Sequence, residues 1–325
     1  MDSVPAAAEY TMPSDSDLPR ISVLIPWISG RGKALRTVES WTRSQTCPPK
    51  ASEIILATVG SAREVRSTLH GLVDNYEIRI LERAGRSYPE QINACARHAR
   101  APWILITELH VEARPDCLLR TLAWIQDQSE GLAGAPIETF SKHQTLAGRM
   151  ESALYQAASH GWHDPTHWHG VRVRGTALRR RFFLDRGGFN PQYELACDIA
   201  FGLEALKDGH RFGRVTPICA DHWENTTLRG VFGDAYTYSR GEAAFRLYGP
   251  PGLTEEYLGV SEVFQKGLTQ TQSWRRVQLR LGSIFLWKTA RFLLARSPEE
   301  RLDQFRAAFV CVMELGRCST LSKGR

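Results

Sequence analysis

The sequence lacks the features that mark several common protein classes. Its seven cysteines are odd in number and form no CxxC pair, which disfavours a disulfide scaffold or a zinc ribbon and favours a reducing cytosol. No run of about 18 apolar residues occurs, so no helix is expected to cross a membrane. The first 19 residues are acidic and lack an apolar core, so we predict a mobile leader rather than a signal peptide.

A Gly-rich phosphate loop of the usual spacing is also missing. The nearest match, GRGK at 30–33, is too short for one. Its absence disfavours a nucleotidyltransferase or another α/β enzyme that holds nucleotides with such a loop.

Basic residues are in slight excess, and the excess lies at the C-terminal end. The formal net charge is +6, from 41 basic and 35 acidic residues. Residues 274–325 hold 11 basic and 4 acidic residues, a net of +7, so residues 1–273 carry a net charge of −1. A net charge of this size indicates only a mild preference for anionic partners, and the excess belongs to the tail rather than to the body. We predict no nucleic-acid partner.

Short apolar segments alternate with helical patterns along the chain. The segment ISVLIP (21–26) is β-branched, apolar and stopped by a proline, which predicts a buried strand. Strand, helix and strand at this spacing are typical of βαβ units, so we predict an α/β fold with a mostly parallel sheet. Ligands of such sheets bind beyond the carboxyl ends of the strands. The predicted strands cover 21–26, 53–59, 76–82, 102–107, 131–138 and 215–225, and the predicted helices cover 32–45, 62–73, 88–100, 116–128, 141–158 and 196–209.

Three side chains that can bind metal follow the fourth strand at alternate positions. They are Glu108, His110 and Glu112. Glu108 and His110 are predicted to share one side of the strand end and to hold a divalent cation there, with Glu112 in support. Carboxylate oxygen suits Mg²⁺ or Mn²⁺, and the imidazole favours Mn²⁺. The alternative is a solvated turn between strand and loop.

Short motifs recur along these segments in a definite order. They are VLIP (23–26), Leu35…Ser40…Gln45, EII (53–55), Asn93-Ala94, Glu108-Leu109-His110, PDCL (115–118), Arg179-Arg180, GGF (187–189), Cys197-Asp198, GHR (209–211) and His222. Their order and spacing resemble the GT-A fold of family-2 glycosyltransferases over residues 20–225. Three functional positions depart from that family: the nucleoside-binding turn reads ATVGS in place of a DDGS-like sequence, Glu-x-His replaces Asp-x-Asp, and a cysteine replaces the acid before Asp198.

The resemblance implies an inverting glycosyltransferase that moves a sugar from a nucleotide-sugar donor to an acceptor hydroxyl. Asp198 is the expected general base, with Glu194 in reserve. Glu108 and His110 are expected to hold the metal on the donor's diphosphate, with His222 as a third contact. The alternatives are that Asp198 only caps a helix dipole and that His222 is an ordinary buried histidine.

The same resemblance implies donor contacts in the loops after the strands. Arginines in the loops after the first and third strands are placed to meet phosphate or base, and solvated surface is the alternative for them. The predicted donor contacts are Pro26, Arg31, Ser61, Arg86 and Asn93, with Arg83 as a further arginine.

A segment rich in histidine and tryptophan, HGWHDPTHWHGVRVRG, covers 160–175. Its histidine spacing lacks cysteine and is only a weak zinc pattern. We interpret it as a loop that flanks the acceptor pocket, where tryptophans stack on a sugar ring, with ordinary packing as the alternative. The residues concerned are Trp162, His163, Asp164, His167, Trp168 and His169.

The segment 273–297 is basic and amphipathic. Such a helix suits the interface of a membrane, and the alternative is a helix packed on the catalytic body or in a dimer. The predicted apolar side consists of Val277, Leu281, Ile284, Phe285 and Phe292, and the cations are Arg275, Arg276, Arg280, Lys288 and Arg291.

We predict three regions: the leader 1–19, a GT-A-like domain at 20–230 and a helical, basic region at 231–325. The expected location is the cytoplasm and the inner face of a membrane, with a role in cell-surface polysaccharide or glycolipid synthesis. The rival hypothesis is a non-catalytic GT-A-like scaffold or sugar-binding subunit at the membrane. The ATVGS turn favours this rival, whereas Asp198 and His222 oppose it.

Overall fold

The computed structural model describes residues 19–28, 33–73, 75–127, 132–158, 170–258 and 274–322. Its centre is a parallel group of four strands, β1 Ile21–Pro26, β2 Ser52–Ala57, β3 Ile78–Leu81 and β4 Trp103–Ile106, in the order β3-β2-β1-β4. All six residues of β1 are buried, as expected for an apolar strand that is covered on both faces. The helices that connect these strands are α1 Ala34–Ser40, α2 Ala62–Thr68 and α3 Tyr88–His98.

The second half of the sheet adds antiparallel pairs and a long strand. Its strands are β5 Val111–Ala113, β6 Leu132–Lys142, β7 Thr176–Arg179, β8 Arg211–Phe212 and β9 Val215–Trp223. The strand β7 is antiparallel to both β4 and β6, whereas β9 is parallel to β6 and β5 is antiparallel to β9. The sheet therefore continues in the order β4-β7-β6-β9-β5, with β8 paired to β6. The predicted α/β class with a mostly parallel sheet is confirmed.

Helices cover both faces of this sheet and build the C-terminal region. One apolar cluster includes Trp41 and the inner side of β1, and another includes Phe183 and α7. A smaller cluster joins Val231, Phe292 and Phe305. The remaining helices are α4 Cys117–Asp127, α5 Leu146–Ala158, α6 Arg180–Asp185, α7 Cys197–Lys207, α8 Leu228–Tyr248, α9 Leu253–Leu258, α10 Trp274–Leu294 and α11 Pro298–Leu321.

The apolar side predicted for the basic segment packs inward in the structure. Phe292 of α10 is only 3% exposed, and the ring of Phe285 lies edge-on to Phe232 of α8 at 5.1 Å. A second apolar stripe of α10 is left exposed instead; it consists of Leu279, Leu286, Trp287, Leu293 and Leu294. Among the described residues, no helix is both long and apolar enough to cross a bilayer.

Candidate active site

Three side chains converge where β4 ends and β5 pairs with β9. The Nε2 atoms of His110 and His222 lie 3.2 Å apart. The Oε2 atom of Glu108 lies 3.5 Å from each of these nitrogens. Both histidines are buried, and Glu108 is partly exposed. Among the described residues, these three side chains form a group whose ligand atoms lie close enough to share one metal ion.

The short strand β5 brings these residues together. After β4 ends, the chain makes a turn and the backbone N–H of Val111 donates to the carbonyl of Glu108. Val111 then pairs with His222 across the β5–β9 ladder, and the N–H of Trp223 donates to the carbonyl of His110 at 3.0 Å. The two imidazoles are therefore fixed by the backbone of two paired strands rather than by long, mobile loops.

The spacing of the three ligand atoms fits a metal ion. The point equidistant from them lies roughly 2 Å from each atom, which is in the range of metal–nitrogen and metal–oxygen bonds. Two imidazole nitrogens and one carboxylate oxygen are ligand types that bind divalent first-row cations, and three protein ligands would leave positions for others. The residues present therefore suit a divalent cation with space for further oxygen ligands.

A fourth residue, Glu224, supports this group, and the sequence analysis missed it. Its buried carboxylate oxygen Oε1 lies 3.1 Å from Nδ1 of His222, accepts a hydrogen bond from Ser141 Oγ at 2.6 Å and lies 3.5 Å from Arg174. Burial raises the pKa of Glu224, but the charges of His222 and Arg174 outweigh burial and hold the pKa well below its usual value. The sequence does contain a hint of this residue. Glu224 directly follows β9 and lies two positions after His222, a spacing that puts both side chains on one side of an extended chain.

Asp198 lies in the first turn of α7 and is 7% exposed. Its carboxylate accepts hydrogen bonds from the N–H groups of Val173, at 3.1 Å, and Ile199, at 2.8 Å. Burial raises the pKa of Asp198 from 3.8 to about 6; these backbone donors oppose the rise, and the charge of Glu108 adds to it. A carboxylate with a pKa near 6 is mostly ionised at neutral pH and still takes up a proton readily, as a general base requires.

Tyr88 is a further residue that the sequence analysis did not single out. It begins α3 and is 7% exposed, and its hydroxyl has no hydrogen-bond partner among the described residues. Burial raises the pKa of this hydroxyl well above its usual value, and the charges of Glu108 and Asp198 raise it further. Tyr88 therefore keeps its proton and offers a donor beside both carboxylates. An aromatic residue at the start of a helix gives no such signal in the sequence alone.

The predicted donor contacts that the structure describes have different surroundings. Pro26 ends β1 and is buried, whereas Arg86 is exposed. Ser61 caps α2 by accepting a hydrogen bond from the N–H of Arg63. Asn93 has both ends of its amide occupied, because it donates to the carbonyl of Phe189 and accepts from the N–H of Phe189. Its role in donor binding stays a prediction, since these bonds tie α3 to the GGF loop.

Other predicted residues have different partners or fall outside the described residues. Glu112 pairs with Arg36 at 3.1 Å and is not part of the three-residue group. Glu194, the reserve base, pairs with Arg240 at 2.8 Å and has a left-handed backbone with φ of 44°. Arg83 is exposed. The positions that the structure does not describe are the leader to residue 18, Arg31, Trp162, His163, Asp164, His167, Trp168 and His169.

Solved structures with the same fold include a mannosyltransferase and a protein in complex with a nucleotide sugar. A mannosyltransferase from Pyrobaculum calidifontis, in complex with GDP-Man and Mn²⁺, is 15% identical with a TM-score of 0.55, over 90% of this chain and 86% of that one. S. aureus TarS 1–349, in complex with UDP-GlcNAc, is 10% identical with a TM-score of 0.50, over 94% of this chain and 92% of that one. At these identities the similarity shows the fold alone, which is the GT-A fold.

Sequence comparison gives the family. No curated protein matches the chain. The sequence model described as Glycosyl transferase family 2 matches residues 22–188, slightly more than half of the chain. The match spans β1 to the GGF loop and so includes Glu108 and His110, while Asp198 and His222 lie beyond it. The chain therefore belongs to glycosyl transferase family 2.

Proposed function

We propose that this glycosyltransferase moves a sugar, with inversion, from a nucleotide-sugar donor to an acceptor hydroxyl. The observation that carries the proposal is the buried carboxylate of Asp198, whose pKa of about 6 is raised in part by the charge of Glu108. A base for the acceptor would then lie close to the group that would hold a divalent cation, Mn²⁺ or Mg²⁺. The GT-A neighbours support the proposal, because they bind GDP-Man with Mn²⁺ or UDP-GlcNAc.

Each residue of the site has a role in this scheme. Asp198 would accept the proton of the attacking hydroxyl, which an inverting displacement needs on the side opposite the leaving group. Glu108, His110 and His222 would hold the cation, which stabilises the negative charge that develops on the leaving diphosphate. Tyr88, which keeps its proton, would donate a hydrogen bond to the donor between these two groups. We assign this catalytic unit to residues 20–230.

Calorimetric titration with UDP and with GDP, each with and without Mn²⁺, tests donor binding. For protein first stripped of metal with a chelator, we expect one nucleotide to bind only when Mn²⁺ is added, because the diphosphate and the protein would each supply ligands to the same cation. The double variant Glu108→Ala, His110→Ala should lose this binding, since two of the three protein ligands are gone. An unchanged circular dichroism spectrum and melting temperature would show that the variant is folded.

The same titration separates sugar transfer from the rival role as a scaffold or sugar-binding subunit. That rival is favoured by the turn after β2, where Val59 is 55% exposed and the acids typical of the family are missing. If neither nucleotide binds under any condition, the metal-dependent transfer fails and the rival role is preferred. Binding that is equally tight without metal would contradict only the role given to the cation.

We also propose that α10 contacts a membrane surface through the exposed stripe defined above. The helix contains five basic residues and no acidic ones. Arg276, Arg280 and Arg291 are exposed beside the stripe, and Trp287 lies 4.5 Å from the ammonium group of Lys288. Apolar side chains flanked by cations fit the headgroup region of anionic lipids at the inner face of a membrane. A second copy of α10 would instead bring like charges together. Acceptors for polysaccharide or glycolipid synthesis would be met there.

Vesicle co-sedimentation tests this contact. The protein should bind vesicles of phosphatidylcholine with phosphatidylserine, bind pure phosphatidylcholine poorly, and dissociate as salt is raised. The variant Leu279→Ser, Leu286→Ser, Leu293→Ser should bind roughly tenfold more weakly or worse, because each buried leucine contributes on the order of 1 kcal/mol or more. Tyr248→Ser, which removes an aromatic side chain that is 60% exposed on α8, is the control. Equal binding by both variants would exclude the stripe as the contact.

A further inference from the structure

The group formed by Glu108, His110 and His222 has more nitrogen and less oxygen than a magnesium site needs. Mg²⁺ prefers oxygen ligands and keeps several of its waters, whereas imidazole suits Fe²⁺, Co²⁺, Ni²⁺ and Zn²⁺. Two of the three ligand atoms here are imidazole nitrogens, and both side chains are nearly fully buried. A carboxylate ligand alone is compatible with either Mn²⁺ or Mg²⁺. The second histidine disfavours Mg²⁺.

The three ligand atoms are also held in place before any nucleotide arrives. The β5–β9 ladder fixes the backbone of both histidines, and the atoms already stand 3.2 and 3.5 Å apart. A site that offers one or two flexible carboxylates depends on the diphosphate of its ligand to complete the metal's shell. A site with three pre-positioned protein ligands loses less conformational entropy on binding and can retain the ion alone.

Glu224 adds the outer contact that metal-binding histidines usually have. Such histidines donate their second ring N–H to a carboxylate, which fixes the tautomer and the direction of the ligand nitrogen. Oε1 of Glu224 lies 3.1 Å from Nδ1 of His222, within ion-pair distance, although Nδ1 makes no hydrogen bond in this arrangement. Ser141 and Arg174 hold the same oxygen. Glu224 is therefore close enough to orient the ring of His222, with Nε2 toward Glu108 and His110, without being a ligand itself.

We infer that this enzyme carries a resident first-row transition-metal centre, held by Glu108, His110 and His222, that loads without nucleotide and excludes Mg²⁺. Glu224 is its positioning residue. The role of the metal in this inference rests on the proposed function, but the binding of the metal does not. Metal binding and sugar transfer can therefore be refuted independently. The alternative arrangement is a metal-free pair in which one imidazole donates to the other across 3.2 Å.

Metal titration of the nucleotide-free protein tests the inference. Calorimetry should show one Co²⁺ or Zn²⁺ per chain, weaker Mn²⁺ and no Mg²⁺ at millimolar concentration, and bound Co²⁺ should give a visible absorption band. His110→Asp, which restores the carboxylate typical of the family, should weaken Co²⁺ binding and improve the relative binding of Mg²⁺. Binding of metal only when UDP or GDP is present, or equal affinity for Mg²⁺ and Co²⁺, would overturn the resident centre while leaving sugar transfer possible.

A series at position 224 tests the positioning role. Glu224→Ala should weaken Co²⁺ binding by about 10- to 100-fold, and Glu224→Gln should lose less, because its amide oxygen can still accept from Nδ1. Glu138→Gln is the matched control, since Glu138 lies on β6 and pairs with Arg214 at 2.7 Å outside the group. If all three variants bind Co²⁺ as the parent does, Glu224 has no such role. Intact metal binding without any sugar transfer would refute the proposed function alone.

Discussion

Replacing Asp198 with asparagine is expected to lower kcat by about two to four orders of magnitude, the usual contribution of a general base. Asparagine has nearly the same shape but cannot accept the proton of the acceptor hydroxyl. The measurement is the initial rate of transfer from the nucleotide-sugar whose base was identified by titration. Asp185→Asn is the control, because Asp185 is exposed and pairs with Arg181, four residues earlier at the surface of α6. A loss caused by Glu194→Gln and not by Asp198→Asn would move the base to the reserve position.

The pH dependence follows from the same carboxylate. The base works only when ionised, so kcat/KM should fall below about pH 6, where Asp198 becomes protonated. The folding stability is expected to change with pH in the opposite direction to the activity. A pKa raised from 3.8 to about 6 means that the folded protein favours the protonated form, so stability is lost as pH rises through about 6. The loss amounts to about 3 kcal/mol by pH 7. The measurement is the free energy of unfolding in urea. Between pH 4 and pH 7, the stability of Asp198→Asn relative to the parent should rise by that amount. A stability difference that does not change with pH would contradict the prediction.

Replacing Glu53 with alanine is expected to cost about 3–5 kcal/mol of unfolding free energy, as for other buried ion pairs that lose one partner. The side chain of Glu53 is fully buried at the start of β2. It accepts hydrogen bonds from Ser22 Oγ at 2.6 Å, from the N–H of Arg100 at 2.7 Å and from Nε of Arg100 at 3.2 Å. The variant would leave the buried hydroxyl of Ser22 and the N–H of Arg100 without their acceptor.

Urea unfolding of the variant provides the measurement, with Glu39→Ala as the control. Glu39 also pairs with an arginine, Arg43, but this pair lies at the surface of α1, where it is expected to contribute less than about 1 kcal/mol. A Glu53→Ala protein that unfolds within about 1 kcal/mol of the parent would show that the carboxylate network is not what joins β1, β2 and the end of α3.

The sequence was most informative where a residue's partners lie nearby in the chain or follow a regular period. The strands β1 to β4 and helix α3 were predicted within a few residues, because their apolar period and their caps are local properties. The predicted helix at 141–158 begins only at Leu146, since β6 continues to Lys142 to pair with β9. Such an extension depends on a strand about 80 residues further along the chain, which no local pattern records.

The candidate site shows the same division. Glu108, His110 and His222 were named from their motifs, and the structure brings them together, but the strand that does so was not predicted. The three-residue β5 is too short to give a periodic signal. For α10 the sequence shows two apolar sides, and only the packing of Phe285 and Phe292 decides which one is covered. Asn93 was predicted to bind the donor because of the resemblance. The hydrogen bonds of its side-chain amide to the backbone of Phe189 could be found only from the structure, because Phe189 lies 96 residues further along the chain.

The pairing of β5 with β9 would also link the proposed metal binding to folding. The two histidines are 112 positions apart in the chain and meet only when both strands are in register. An unfolded chain has no such site, so an ion bound at about 1,000 times its dissociation constant would stabilise the native state by about 4 kcal/mol. Thermodynamic linkage of this kind would make the melting temperature depend on the metal content of the preparation, so a chelator would act on this protein as a mild denaturant.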